Sequence, residues 1–366
     1  MKKTGFILAF ILLCIVLPFP IHAETLIVKD MVGREVRTPP DPQKIIGIGP
    51  GALRLLVYLQ ARDKVAGVEN MEKMNSRGRP YWLAHPEFSS LPSCGPGGPA
   101  GINKKPDLES IMAVNPRVVF VTYLDAPLAD EAQKISGIPF VVLSYGPLGG
   151  FDQALLDSLK IAGKILNREK RADEVIAYFG SIQKDLNART KHIPVKLRPS
   201  VYVGGIGYKG TFGIESTEKS YLPFSWVNAN NLAEAQETKM GSHVFLDKEA
   251  LLKMNPDVIF IDGGGLALVT EDFSKKPEFY FSLKAFSEKK VHTLLPFNWY
   301  ATNISTALAD AYAVGKILYP DSFKDIDPEK KADEIYTFLV GKPVYEAMKK
   351  DYGSLGAMAN FLKPEE

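Results

Sequence analysis

Cysteine is almost missing from this chain: Cys14 and Cys94 are the two in 366 residues. Cys14 lies within an apolar run that starts at Phe6, follows Lys2 and Lys3, and gives way to Pro18, Pro20 and Ala23. A basic start, a short apolar stretch and a small residue after a break describe an export leader, residues 1–23, cut after Ala23. Leu13 before Cys14 does not suit lipid attachment at that cysteine. With the leader gone only Cys94 remains, which excludes an intramolecular disulfide and a thiolate metal cluster. No later run approaches the roughly 20 apolar residues of a membrane helix. A soluble, exported chain held together by packing is the expectation.

Charge of one sign is lacking as well. The 44 basic and 42 acidic residues become 42 and 42 without Lys2 and Lys3, so no electrostatic case exists for binding nucleic acid. His85, His192, His243 and His292 are scattered and unmatched by carboxylates at ligand spacing, which argues against capture of a bare metal ion. There is no Gly-x-Ser-x-Gly elbow, no Walker loop and no paired-histidine hydrolase motif. Nothing supplies an activated nucleophile or base, so the chain does not read as an enzyme.

What is present is an internal echo. Residues 107–121, with Asp107, Glu109, Asn115 and Pro116 followed by Val118, recur as residues 247–261, with Asp247, Glu249, Asn255 and Pro256 followed by Val258. Each copy reads as a short helix with acids in its first turn, stopped by Asn-Pro and followed by a β-branched strand. Brief apolar runs at 44–48, 65–68, 118–122 and 140–143, then at 200–203, 258–261 and 291–294, are of the kind buried in parallel sheets. Residues 151–191 contain no proline and keep apolar residues at helical spacing, with Asn167 as the one break. The predicted fold class is α/β: two doubly wound lobes joined by a long rigid helix, with a ligand cleft between them. The expected division is an N-terminal lobe at 24–150, a connecting helical segment at 151–191, a C-terminal lobe at 192–326 and a helical tail at 327–366 that packs back on a lobe.

The turn after the first apolar run is Gly47-x-Gly49-x-x-Ala52, and Glu69 follows Gly47 by 22 residues. That pattern is similar to a dinucleotide-binding turn, so an NAD-dependent enzyme is the alternative of another class. Two other readings compete with it. One is a tight structural turn; the other is an anion seat, because a strand-to-helix glycine turn leaves backbone N–H groups and a positive helix end at the carboxyl edge of a sheet.

The chain resembles the periplasmic substrate-binding proteins of ABC importers for iron–siderophore complexes, haem and cobalamin. The resemblance is carried by Asp30, Gly33 and Arg34 in an opening hairpin, by Pro42, Lys44 and Ile46, and by the helix-Asn-Pro-strand unit in both halves. Lys209, Gly213, Ser216, Thr217, Pro223, Phe224 and the Asn298-Trp299-Tyr300-x-Thr302-Asn303 stretch are similar to an iron-transport subgroup with molybdate- and tungstate-binding relatives. A periplasmic receptor follows as what the resemblance implies. It has no cofactor, works as a monomer and hands a metal complex to a membrane permease. An iron(III) chelate or siderophore is the first ligand expected, and molybdate or tungstate the alternative.

Ligand between two such lobes meets the loops that follow strands. On the first lobe these supply Gly49, Pro50, Gly51, Ala52, Glu69, Asn70, Tyr123 and Tyr145, with Arg79 offering a planar fork to a carboxylate or oxyanion. On the second they supply Lys209, Gly213, Ser216, Thr217, Gly264, Asn298, Trp299, Tyr300 and Asn303. Ser216, Thr217 and Thr302 suit a tetrahedral oxyanion, whereas Trp299 and Tyr300 suit a bulky complex. Family members often carry a permease-docking glutamate early in the first helix. Arg54 stands there instead, and Glu218 or Glu234 on a helix surface is the expected counterpart in the second lobe.

Overall fold

The computed structural model describes residues 25–74, 77–146, 150–208, 210–239 and 241–362; the expected leader and Lys209 lie outside the described residues. The chain opens with an antiparallel hairpin of Leu26–Lys29 (β1) and Glu35–Thr38 (β2), closed where Arg34 pairs with the buried Asp30 and reaches the Phe140 carbonyl. Four apolar strands follow: Ile45–Ile48 (β3), Val65–Gly67 (β4), Val118–Thr122 (β5) and Phe140–Leu143 (β6). All pair in parallel, in the order β4-β3-β5-β6. The helices between them are Ala52–Tyr58 (α1), Asn70–Met74 (α2), Pro80–Ala84 (α3), Leu108–Val114 (α4) and Ala126–Ser136 (α5).

Two helices then leave the first sheet. Gln153–Ile165 (α6) lies against β6 and β1, so the crossing belongs to the 22-residue helix Glu169–Thr190 (α7), about 33 Å long at ~1.5 Å per residue. Asn167 takes a left-handed φ of 52° and turns the chain between them. The sequence pattern thus located the break, but not that the first of the two helices packs against the first sheet.

The second half is built from Ser200–Gly204 (β7), Ser216–Glu218 (β8), Leu222–Trp226 (α8), Asn230–Asn231 (β9), His243–Phe245 (β10), Lys248–Met254 (α9) and Val258–Asp262 (β11). It continues through Leu266–Lys275 (α10), Pro277–Phe281 (α11), Lys284–Ser287 (α12) and Val291–Leu294 (β12) to Ile304–Leu318 (α13). Its parallel sheet runs β9-β7-β11-β12, the same strand order as the first when each is numbered within its own lobe. The two copies of the sequence echo are α4–β5 and α9–β11. In both, an aspartate caps the helix, Asp107 accepting from Ser110 N–H and Asp247 from Ala250 N–H. Asn115 and Asn255 end them with φ of 54° and 42°, left-handed rather than merely non-helical, a conformation asparagine tolerates.

Pro328–Val340 (α14) and Tyr345–Tyr352 (α15) complete the chain. α14 lies against α13 of the second half and against α1 and α3 of the first, and α13 is buried almost all round. One continuous core therefore runs from Ile45 and Val118 through Leu308 and Val314 to Phe260 and Leu294. Among the described residues no helix is long and apolar enough to cross a membrane.

Candidate functional site

In each sheet the strand order reverses at one point, between β3 and β5 and between β7 and β11, and loops at the carboxyl ends of those strands are where α/β sheets bind ligands. The first-lobe loop turns on Gly49 and Gly51, both at φ of 85°. A Cβ at Gly49 would fall 2.6 Å from the Thr122 carbonyl oxygen, and one at Gly51 would fall 2.5 Å from the Tyr145 ring. The glycines thus allow close packing, and the positive end of α1 lies under Tyr145. The Gly49 N–H is also taken: it donates to Glu69 Oε2 at 3.0 Å. Glu69 serves the turn itself. The Gly49 N–H of the expected anion seat is therefore engaged by the chain's own carboxyl.

The same Oε2 accepts the Tyr300 hydroxyl from the second lobe at 2.8 Å, and the Tyr300 oxygen accepts Gly98 N–H at 3.1 Å. Burial raises the Glu69 carboxyl to about 7, against the lowering effect of the Tyr300 hydroxyl and the Gly49 N–H. Tyr300 and Ala301 hold consecutive left-handed φ values of 45° and 66°, unusual for residues with a Cβ. What holds them is Arg54. Its guanidinium, buried to 1% exposure, donates to the carbonyls of Trp299, Tyr300 and Thr302 at 3.0, 3.3 and 2.9 Å and to the Tyr145 hydroxyl at 3.1 Å. The position expected to carry a docking charge is therefore internal, and it fastens a second-lobe loop into the first lobe.

Arg79 is buried completely. One nitrogen, Nη1, donates to Glu72 at 2.7 Å; Nε and Nη2 have no partner, nor does Trp299 Nε1. Nε–H and Nη2–H share one edge of a guanidinium, the edge that grips a carboxylate or oxyanion with two parallel bonds. The Arg79 Cζ lies 5.0 Å from the Trp82 ring centre and 5.7 Å from that of Trp299.

A cleft of about 1310 Å³ separates the lobes. Met71, Gly78, Pro99 and Ala100 face it from the first, and Gly207, Thr211, Asp262, Gly263 and Pro296 from the second. Of the residues expected from sequence, Gly264, Asn298, Trp299 and Tyr300 line it. Gly49, Pro50, Glu69 and Tyr123 instead border a smaller cavity of about 70 Å³, reached also by Tyr300, Lys104 and Lys105. The others lie elsewhere. Gly51, Ala52 and Tyr145 are packed inside; Asn70 opens α2 and is exposed; Gly213 closes a turn by accepting Ser216 N–H. Ser216 and Thr217 are buried in β8, and Asn303 Nδ2–H donates to the Phe297 carbonyl while its Oδ1 is buried without a partner. Glu218 also belongs to β8 and is buried, and Glu234 sits exposed in a turn, so neither is on a helix.

Sequence reading missed Asp262 and Tyr352. Asp262 had a signal, since it follows the second echo where Thr122 follows the first. Tyr352 had none: it reaches the cleft from α15, some ninety residues later. Among the described residues no group of three histidine, cysteine or carboxylate side chains is placed to hold a metal ion.

Two matched parallel sheets, a helical strut and a cleft between strand-end loops define a two-lobe solute-binding protein. The family model described as periplasmic binding protein matches residues 45–296, and the chain belongs to that family. It is 25% identical over 333 residues to the molybdate-binding protein MolA of Haemophilus influenzae, covering 85% of this chain and 89% of that one. An uncharacterized ABC transporter substrate-binding lipoprotein of Bacillus subtilis, YvrC, is 21% identical over 81% of this chain and 87% of its own. Among solved structures, a periplasmic solute binding protein from Veillonella parvula superposes with a TM-score of 0.71 at 18% identity, covering 90% of this chain and 97% of that one. MolA bound to molybdate superposes at 0.67 with 20% identity, covering 87% and 98%. Members of the family are solute-binding proteins of ABC transporters, which work with a membrane permease.

Proposed function

We propose that this protein is the monomeric receptor of an ABC importer and that its ligand is an anionic iron(III) chelate of the siderophore class, held between the lobes. The observation that carries the reading is the cleft of about 1310 Å³ with Trp299, Tyr352, Pro99 and Pro296 in its walls. A tetrahedral oxyanion occupies a small fraction of that space, whereas an organic chelate needs apolar walls with a few oriented donors. Trp299, which lines the cleft, carries one such donor in Nε1, and the free edge of Arg79, buried behind it, becomes a second for a chelate carboxylate once the loop carrying Trp299 shifts. Bare-metal capture has no ligand cluster behind it among the described residues.

The second reading, molybdate or tungstate, is favoured by the MolA likeness and by the cavity of about 70 Å³ beside Lys104 and Lys105. Elemental analysis of protein purified from its host, with calorimetric titration of ferric chelates, molybdate and tungstate, tests both. Iron with an organic ligand is expected. Molybdenum or tungsten would move the assignment to the oxyanion, and no binding to any of them would remove it.

The rest of the assignment belongs to the same proposal. The leader at 1–23 exports the chain to the periplasm. The units are a lobe at 24–150, a connection at 151–191, a lobe at 192–326 and a tail at 327–366. The loops carrying Lys209, Gly213 and Gly264 meet the ligand from the second lobe.

A further inference from the structure

Three acids stand together behind the second lobe's face of the cleft. Asp262 lines the cleft at 4% exposure, and its Oδ1 accepts Gly264 N–H at 2.8 Å. Glu218 Oε1 accepts Asn298 Nδ2–H at 3.1 Å, and its Oε2 is buried without a partner. Asp310, on α13, accepts Leu295 N–H at 3.2 Å on Oδ1, and its Oδ2 is buried and unpartnered too. Each carboxyl thus secures part of the cleft floor: the loop after β11, the tip of the 297–303 loop, or the chain leaving β12.

The Tyr221 hydroxyl, fully buried and without a partner, lies in the electrostatic field of all three. Tyr352 approaches Asp262 from α15, with Arg77 and Arg79 beyond it. His243, the cross-strand neighbour of Glu218, keeps a neutral imidazole because burial lowers its pKa. Among the described residues no lysine or arginine acts on the three carboxyls. A buried carboxylate with neither a cation nor a donor on one oxygen is unfavourable, and a proton on that oxygen removes the charge. Burial, reinforced for Glu218 and Asp310 by the charge of Asp262, raises Glu218 to about 8, Asp262 to about 7 and Asp310 well above its ordinary value.

We propose that Glu218, Asp262 and Asp310 form a proton-holding floor under the cleft, and that an anionic ligand binds with uptake of a proton from solvent into it. The coupling rests on the anionic reading above; the floor does not. Negative charge arriving over Asp262 disfavours ionisation beneath it, so the complex holds more protons than the empty protein. No other species changes: one proton leaves the buffer and forms an O–H bond on a carboxyl oxygen. Affinity is level on the acid side and falls as the empty floor ionises, by at most about tenfold per pH unit for one coupled proton.

Calorimetry of a binding anion, molybdate or a ferric chelate, in buffers of different ionisation enthalpy at pH ~7.5 counts the protons. Net uptake is expected, reduced in Asp310→Asn and Glu218→Gln. Infrared difference spectra of the empty wild-type protein over a pH titration that spans the values of Asp262 and Glu218 read the floor without ligand, as loss of a protonated-carboxyl stretch with rising pH that Glu218→Gln diminishes. Binding with no proton uptake overturns the coupling. Absence of any such stretch in the wild type overturns the floor, even if the variants fail to fold. If no anion binds, the coupling falls with the anionic reading, and the infrared result alone judges the floor.

Discussion

The Tyr300 hydroxyl of one lobe donates to the Glu69 carboxylate of the other at 2.8 Å, so the strut is not the sole tie between the two halves. Beside it, Arg54 takes three carbonyls of the loop that carries Tyr300. The lobes are thus fastened at the base of the cleft, and any closing motion must pivot on this contact or break it.

Tyr300→Phe removes that donor from a buried carboxylate while leaving the ring in place. We expect a loss of about 1–3 kcal/mol in denaturant unfolding. The same variant expects a further rise in the Glu69 pKa, because one of its two charge-stabilising donors is gone.

Glu69 also has a pH signature. Its folded pKa of about 7 lies above the ordinary 4.5, so the native state binds more protons than the unfolded one between those values. Its contribution to stability is full below about pH 4.5 and is lost as pH rises through 7. Glu69→Gln flattens that part of the profile of melting temperature against pH; an unchanged slope counts against the assignment.

Arg54→Ala strands the carbonyls of Trp299 and Tyr300, leaves the Tyr145 hydroxyl only its bond to the Thr302 carbonyl, and opens a cavity under two residues with left-handed φ. A loss of at least about 3 kcal/mol is expected. Arg54→Lys keeps the charge but not the fork, so it recovers part of the loss. Urea unfolding of the two variants separates charge from geometry.

Arg79→Lys tests the open guanidinium edge. Calorimetry with the bound ligand should read a ten- to hundredfold weaker affinity, about 1.4–2.7 kcal/mol. A ligand that binds Arg79→Lys and wild type alike does not use the edge.

The two asparagine caps should behave as a pair. Asn115→Ala and Asn255→Ala each force a Cβ-bearing residue without a polar side chain into the left-handed region, at about 1 kcal/mol; glycine is close to neutral at 115, whereas at 255 it still loses the bond from Lys284 N–H to the Asn255 side chain. Thermal melts of the four variants check it.

Much of the fold is legible in the residues because its signals are local. The apolar and β-branched runs at 118–122, 140–143 and 291–294 coincide with β5, β6 and β12, since a strand buried in a parallel sheet is mostly apolar. The echo of Asp107 to Asn115 at Asp247 to Asn255 foretells two lobes of similar architecture, because an aspartate cap and an asparagine stop act within single turns; the shared strand order is seen only in the folded sheets. Gly264, Asn298, Trp299 and Tyr300 could be placed on the cleft from their positions after strands.

Contacts between distant segments were not legible. Nothing in the helical pattern around Arg54 says that a second-lobe loop some 245 residues away will cover it, and nothing near Glu69 says that its partner is Tyr300. Likewise Glu218, Asp262 and Asp310 share no spacing; β8, β11 and α13 bring them together only when the second sheet is packed. Periodicity and capping act over a few residues and write helices, strands and lobes into the chain. Desolvation and charge pairing depend on what lies within a few ångströms in space, so the seat of each charge, and with it the chemistry of the cleft, was settled by tertiary packing.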